Sequence, residues 1–500
     1  MPEQSPATAA PAPSLEPRDD LKITRHHVRV GGAHVPYTAT AGTLVLREET
    51  LGQGERADLS EGARARAEVF VVSYTRDDAA DPGKRPVTFC FNGGPGSSSV
   101  WLHLGMLGPR RVTLDAEGFP VALDGELRDN EHSLLDVSDL VFIDPVSTGF
   151  SRALKGEKPK EFHGFTRDIA SVGEVIRLWC SRNGRWPSPK YLAGESYGTT
   201  RAAGLAGHLQ QRHGLYLSGL MLISSVLDFA TLQFGPGNDL PPLLFLPTYT
   251  ATAHYHKRLD EELQALPLRA LLDRVEEFAR ERYAPALLRG ASLPVADRSR
   301  VARELARFTG LSEGFVEAND LRVPISRFVK ELLRDQRKTV GRLDSRYLGS
   351  DRDAGGESFE YDPAYSAIQG PYTAALNHYL RSELGYTNDL PYEILANLYQ
   401  DWSYKEFENR YVNVAETLRK AMSMNPRLRV HVANGFYDLA TPYFASEYTI
   451  DHLALEPDLR RNLSTSYYEA GHMMYVQERS LARIKEALAA FVQPEVAGQG

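Results

Sequence analysis

Ser196 lies between two glycines in the run Gly194-Glu195-Ser196-Tyr197-Gly198. Such pentapeptides also arise by chance, so the flanks decide what the serine can do. "YLAG" before it reads as a strand and "TTRAAGLAGHLQQR" after it as a helix. A strand, a glycine-flanked serine and a helix make a nucleophile elbow, in which the glycines allow a tight turn that pushes the serine oxygen outward. The amide of Tyr197 then sits at a helix N-terminus, where N–H groups have no intrahelical acceptor. A hydroxyl is a weak nucleophile and needs a base, normally a histidine oriented by a carboxylate. "VHVANGFYDLATP" puts Asp438 just past one strand-like run, and "YYEAGHMMYV" puts His472 just past the next. Both are loop positions at strand ends, where the sites of open α/β sheets assemble.

Attack on a carbonyl also needs donors for the oxyanion. "FNGGPGSSS" at 91–99 follows a strand-like run directly, and adjacent glycines let backbone amides approach a substrate without a Cβ in the way. This set of groups calls for no metal and no cofactor. No His-Glu-any-any-His run occurs, which counts against a metallopeptidase. All three members of a serine, histidine and aspartate set are present, which counts against a binding protein that has lost its chemistry.

The elements that must position these residues follow from the hydrophobic pattern. "HHVRVGGAHVPYTATAGTLVLREE" reads as strand, Gly-Gly turn, strand, turn, strand, and "AEVFVVSYTRDD" adds another strand. "RPVTFCF", "DLVFIDP", "PKYLAG" and "GLMLISS" are apolar strand candidates that each run into a loop or helix. "TRDIASVGEVIRLWCSRNG" is helical, with Gly184 just past its end. Strands alternating with helices predict an α/β fold with a mostly parallel central sheet covered on both faces. After Asp228 the chain turns charged and amphipathic to about residue 404, and the sheet pattern returns with "RLRVHVAN" and "LSTSYYEAG" before a last helix, "SLARIKEALAAFV". The expected organisation is a disordered leader over 1–20, an α/β core over 21–228 and 405–495, and a helical cap inserted at 229–404.

Five hundred residues with 42% hydrophobic content suffice for a full-sized core. Fifty-seven basic against 65 acidic residues give a net charge of −8, with no long basic run, so nucleic acid and anionic membranes are poor partners. Two cysteines, Cys90 and Cys180, cannot staple a chain of this length and read as buried free thiols. No window approaches the length of an apolar membrane span. The Pro- and Ala-rich start lacks the apolar stretch of a secretory signal, so the expected location is cytoplasmic.

Taken together, Asn92-Gly93-Gly94-Pro95-Gly96, "DPVSTGFS", Gly194-Glu195-Ser196-Tyr197-Gly198, Asn434-Gly435 leading to Asp438, and Ala470-Gly471-His472-Met473 resemble the serine carboxypeptidases, over about residues 85–475. These are α/β hydrolases that remove C-terminal residues from peptides. The resemblance implies the α/β-hydrolase fold, with Ser196 as nucleophile, Asp438 as acid and His472 as base. It implies Gly94 and Tyr197 as oxyanion donors, and Asn92, Gly93 and Glu195 as the group that holds the substrate's terminal carboxylate. Peptide C-termini are then the substrate. An esterase or acyltransferase using the same three residues is the alternative, since the family's near relatives include acyltransferases and lyases. The chain departs from the family pattern in ways that suggest a bacterial-type member without the usual disulfides. Ser97 stands where the family has cysteine, and "IDPVSTGFS" is one residue short, which bears on the wall of the substrate pocket. The family pattern also implies a second glutamate in the helix after the glycine-rich loop, sharing a proton with Glu195; this chain has Met106 there.

Overall fold

The computed structural model describes residues 16–51, 60–121 and 125–493. Nine strands form the path of its central sheet: β1 (Asp20–Val30), β2 (Ala33–Leu51), β3 (Ser60–Arg76), β4 (Val87–Phe91), β5 (Asp139–Ile143), β6 (Lys190–Ser196), β7 (Gly219–Ser225), β8 (Arg429–Gly435) and β9 (Leu463–Tyr468). Their spatial order is β1-β2-β3-β5-β4-β6-β7-β8-β9, with the short strand Arg152–Ala153 paired onto β3. The first three strands run antiparallel, and β5, β4, β6, β7, β8 and β9 are parallel neighbours. This is the expected α/β-hydrolase architecture, a mixed sheet with a mostly parallel core.

Alternation along the strands explains the two faces. On β4, Val87, Phe89 and Phe91 join one apolar cluster while Cys90 joins the other; on β6, Leu192 faces one side and Tyr191 and Ala193 the other. Helices α1 (Phe165–Arg182) and α2 (Tyr197–His213) cover the first face, and Gly184, with φ +64°, ends the α1 turn as read from sequence. Cys90 and Cys180 are buried and unpaired, and they belong to opposite faces.

The N-terminal strands are longer than expected. Gly31 and Gly32, both at positive φ, close the two-residue hairpin between β1 and β2. The second turn expected in this stretch does not exist: β2 runs on through Gly42. A Cβ on Gly42 would lie 1.9 Å from the carbonyl oxygen of Asp20, so this glycine serves a close approach of backbones within the sheet. Of the expected leader, residues 1–15 lie outside the described residues, and Asp19 already accepts from the Val45 amide and pairs with Arg182.

The stretch 229–404 contributes to two clusters. Helices α3 (Leu240–Tyr255), α4 (Leu268–Phe278) and α5 (Val295–Thr309) share a core with Phe436, Tyr437, Leu439 and Tyr443, which follow β8. On α4 the buried residues Leu268, Leu271, Leu272, Val275 and Phe278 form one apolar stripe at helical spacing. Helix α6 (Pro363–Ser382) instead packs Ile368, Tyr372, Leu376 and Tyr379 on the second face of the sheet, beside α7 (Glu478–Val492). No described helix is long and apolar enough to cross a membrane.

Candidate active site

Because β4, β6, β8 and β9 run parallel, their C-terminal ends open on one edge of the sheet. Asn92 follows β4, Ser196 ends β6, Asp438 lies three residues past β8 and His472 four residues past β9. Ser196 has φ 60° and ψ −131°, a strained conformation for a residue with a side chain, held because it joins β6 to α2. The flanking glycines permit the crossing: a Cβ on Gly194 would lie 2.3 Å from the Gly198 carbonyl oxygen, and one on Gly93 would lie 2.5 Å from the Tyr197 nitrogen. The glycine-rich loop therefore rests directly on the elbow, and Gly94 and Tyr197 line one cavity with Ser196.

His472 Nδ1 lies 2.8 Å from Asp438 Oδ2. Asp438 is fully buried and also accepts from the Ala440 and Thr441 amides and the Thr441 hydroxyl. Burial pulls the His472 pKa down, and the charge and hydrogen bond of Asp438 outweigh it, so the net shift is upward. This arrangement fixes the ring with Nε2 as the nitrogen left for other work. Ser196 and His472 line the same cavity but make no hydrogen bond to each other; such catalytic bonds are commonly long before substrate binds.

Glu195 is the other buried carboxyl group of the site. Asn92 Nδ2 donates to its Oε1 at 3.0 Å and the Tyr475 hydroxyl to its Oε2 at 2.6 Å. Burial pushes its pKa up to about 7, against the pull of His472 and of the two hydrogen bonds. Met106, at the position of the expected second glutamate, is buried in the apolar cluster under the sheet. Tyr475 partners Glu195 instead. The backbone leaves room for it at Gly105, where a Cβ would lie 2.5 Å from the Tyr475 ring and 2.7 Å from the Tyr372 hydroxyl.

Asn92, Gly93 and Glu195 all line the cavity. None of residues 144–151 does, so the short "DPVSTGFS" loop is not part of its wall. Asp144 instead accepts from the Ser99 amide and hydroxyl and from Tyr392, fastening the glycine-rich loop from below. The cavity measures about 860 Å³, and Arg342, Asp362, Tyr365, Leu395 and Tyr399 from the 229–404 stretch wall it.

Three supports were not read from sequence. Arg201, fully buried, pairs with Asp168 and donates to the Asn92 carbonyl at 2.6 Å, tying the glycine-rich loop to α2. Asp344 accepts from the Gly471 amide and pairs with Arg346. The His472 amide donates to the Leu343 carbonyl at 2.7 Å.

The serine carboxypeptidase family profile matches residues 62–235. Over 134 residues the chain is 34% identical to the pheromone-processing carboxypeptidase KEX1 of Saccharomyces cerevisiae, a match over 26% of this chain and 16% of that protein. It is 28% identical over 177 residues to serine carboxypeptidase-like 34 of Arabidopsis thaliana, covering 31% of this chain and 32% of that one. The solved structure of a KEX1 form described as a prohormone-processing carboxypeptidase superposes with a TM-score of 0.53 at 16% identity, covering 92% of this chain and 91% of the other, which establishes the shared fold. Residues 62–235 are thus similar to the serine carboxypeptidase family, and the chain has the α/β-hydrolase fold.

Proposed function

We propose that the protein is a serine-type carboxypeptidase that hydrolyses the C-terminal peptide bond through an acyl-enzyme. The observation that carries this reading is Glu195: a buried carboxyl, held by Asn92 and Tyr475 and pushed toward a neutral form, in the wall of the cavity that holds Ser196 and His472. An ionised carboxylate only accepts hydrogen bonds, whereas a neutral one can donate to the terminal carboxylate of a peptide.

In the proposed cycle the Ser196 oxygen attacks the last peptide carbonyl as His472 Nε2 takes its proton. Asp438 orients the ring and stabilises the imidazolium. The Gly94 and Tyr197 amides receive the oxyanion. Collapse breaks the C–N bond, and the leaving amino acid takes the proton from His472. Water then repeats the sequence on the acyl-enzyme, releasing the shortened peptide and restoring Ser196. Cap residues over the cavity favour a chain end over an internal bond.

Incubating the protein with an unblocked peptide and following the products by mass spectrometry tests this. Stepwise loss from the C-terminus is expected. Turnover of simple esters with every peptide left intact would move the assignment to an esterase or acyltransferase using the same residues.

A further inference from the structure

The cavity wall carries one cation besides His472. Arg342 is exposed, and among the described residues its side chain has no hydrogen bond and no carboxylate within ion-pair distance. Most of the described arginines are paired with a carboxylate, whereas Arg342 lines the cavity without one. Asp362 also lines the cavity and feels the charge of Arg342, but it lies beyond ion-pair distance of the guanidinium and its two oxygens are taken by the backbone amides of Arg342, Leu343 and Ala364. Glu195 is buried and held by Asn92 and Tyr475.

The backbone of Arg342 is fixed at both ends of the residue. Its N–H goes to Asp362 and its C=O accepts from Leu439, next to Asp438. Leu343, the following residue, accepts from His472. The guanidinium therefore projects from a segment tied to the acid and base loops, and its charge is felt at His472. Trp101, Ile368, Leu395 and Met473 give this cavity apolar walls, in which a lone charge acts more strongly than on open surface. Glu195 and Asn92 belong to the core side and Arg342 comes from the cap, so a different part of a bound peptide reaches it.

We propose that Arg342 is a specificity residue that binds an acidic side chain flanking the cleaved bond, so that peptides with Asp or Glu there are the preferred substrate class. This rests on the carboxypeptidase reading above. A guanidinium offers a planar fork of donors that matches a carboxylate, with no acceptor of its own for a basic side chain.

Glu and Gln have the same shape and differ in charge, so blocked dipeptides with either residue at each of the two positions isolate the effect. The wild type should favour Glu at one position by about ten-fold or more in kcat/KM, the range of a charge-assisted hydrogen bond. R342Q should erase that preference, R342K should keep part of it, and R342E should invert it toward Lys. Binding of the same peptides by calorimetry in the S196A background gives the preference without turnover. If the protein cleaves only esters, the carboxypeptidase reading fails while the calorimetric Glu-to-Gln ratio still decides on Arg342. A ratio near one at both positions, or a ratio that R342Q leaves unchanged, overturns the proposal. So does an R342Q effect that follows the terminal carboxylate, seen with free acids and absent from amides, whatever the side chain.

Discussion

The two halves of the site are held by different parts of the molecule. The serine half is built on the sheet, and its glycine-rich loop touches the inserted stretch, where the Ser98 amide donates to the Ile394 carbonyl and the Ala396 amide to the Gly96 carbonyl. Ser196 sits on the β6–α2 turn, the glycine-rich loop lies against it, and Arg201 and Asp144 fasten that loop from beneath. The histidine half leans on the inserted segment. Arg342 accepts from Leu439, Leu343 accepts from His472, Asp344 accepts from Gly471, and the Ser345 amide donates to Tyr437. Residues 342–345 thus run along both the acid loop and the base loop, and they also present Arg342 to the cavity. Ser196 is placed by the sheet, whereas the loop that carries His472 is tied to the inserted segment that walls the cavity. In the proposed enzyme a change in that segment therefore alters proton transfer as well as access.

The largest effect should come from the serine half. S196A should lower turnover by about 10⁴- to 10⁶-fold while the circular-dichroism spectrum and melting temperature stay close to those of the wild type, since only an oxygen is lost. A fluorophosphonate should label Ser196 and no other serine. Full activity in the variant, or labelling elsewhere, would remove Ser196 from the reaction.

The histidine half should respond through stability. D344A removes the nearer partner of Arg346, whose side chain is 1% exposed, leaving it only Glu117 at 3.7 Å, and leaves the Gly471 amide without that acceptor. Breaking a buried pair by removing one member costs about 3–5 kcal/mol. The melting temperature should fall, and at a temperature where the variant is still folded kcat and the rate of fluorophosphonate labelling should drop together, because both need His472 to take the Ser196 proton, while peptide binding in the S196A background stays close to that without D344A. Loss of peptide binding in equal measure would show that the segment supports both halves alike and would dissolve the comparison.

The same division explains what could be read from sequence. The strand-end positions of Ser196, Asp438 and His472 were legible because each carries a local signature, a strand end followed by a glycine-rich or tight turn, and the parallel sheet brings those ends to one edge. The parallel strands themselves were legible as apolar runs. Gly42 misled because a glycine inside a strand and a glycine in a turn look the same until the neighbouring strand is placed. Tyr475 was not legible: it meets Glu195 across 280 residues of sequence, and nothing near it signals a partner. Asp344 meets Gly471 across 127 residues. Met106 showed that a glutamate was missing, but not what takes its place.

That replacement supplies the smallest and sharpest test. A second glutamate could share a proton with Glu195, whereas Tyr475 donates a hydrogen bond to it and stays neutral itself, because burial holds its pKa well above the usual tyrosine range. The Tyr475 bond lowers the Glu195 pKa, which nonetheless stands at about 7 because burial dominates. In the proposed reading Glu195 is then the hydrogen-bond donor to the terminal carboxylate below about pH 7 and loses that form as pH rises through its pKa. Y475F removes the donor, so the Glu195 pKa should move further up and the alkaline fall in kcat/KM on free-acid peptides should move to higher pH, by roughly one unit or 1.4 kcal/mol. With Glu195 neutral over a wider range, His472 loses part of the charge that raises its own pKa, so the acid limb should drift to lower pH. Peptide amides carry no terminal charge and should show only the second change. Paired pH profiles of wild type and Y475F on one peptide, as acid and as amide, measure both limbs. If the alkaline limb stays in place, or moves equally for acid and amide, Tyr475 does not set the protonation of Glu195.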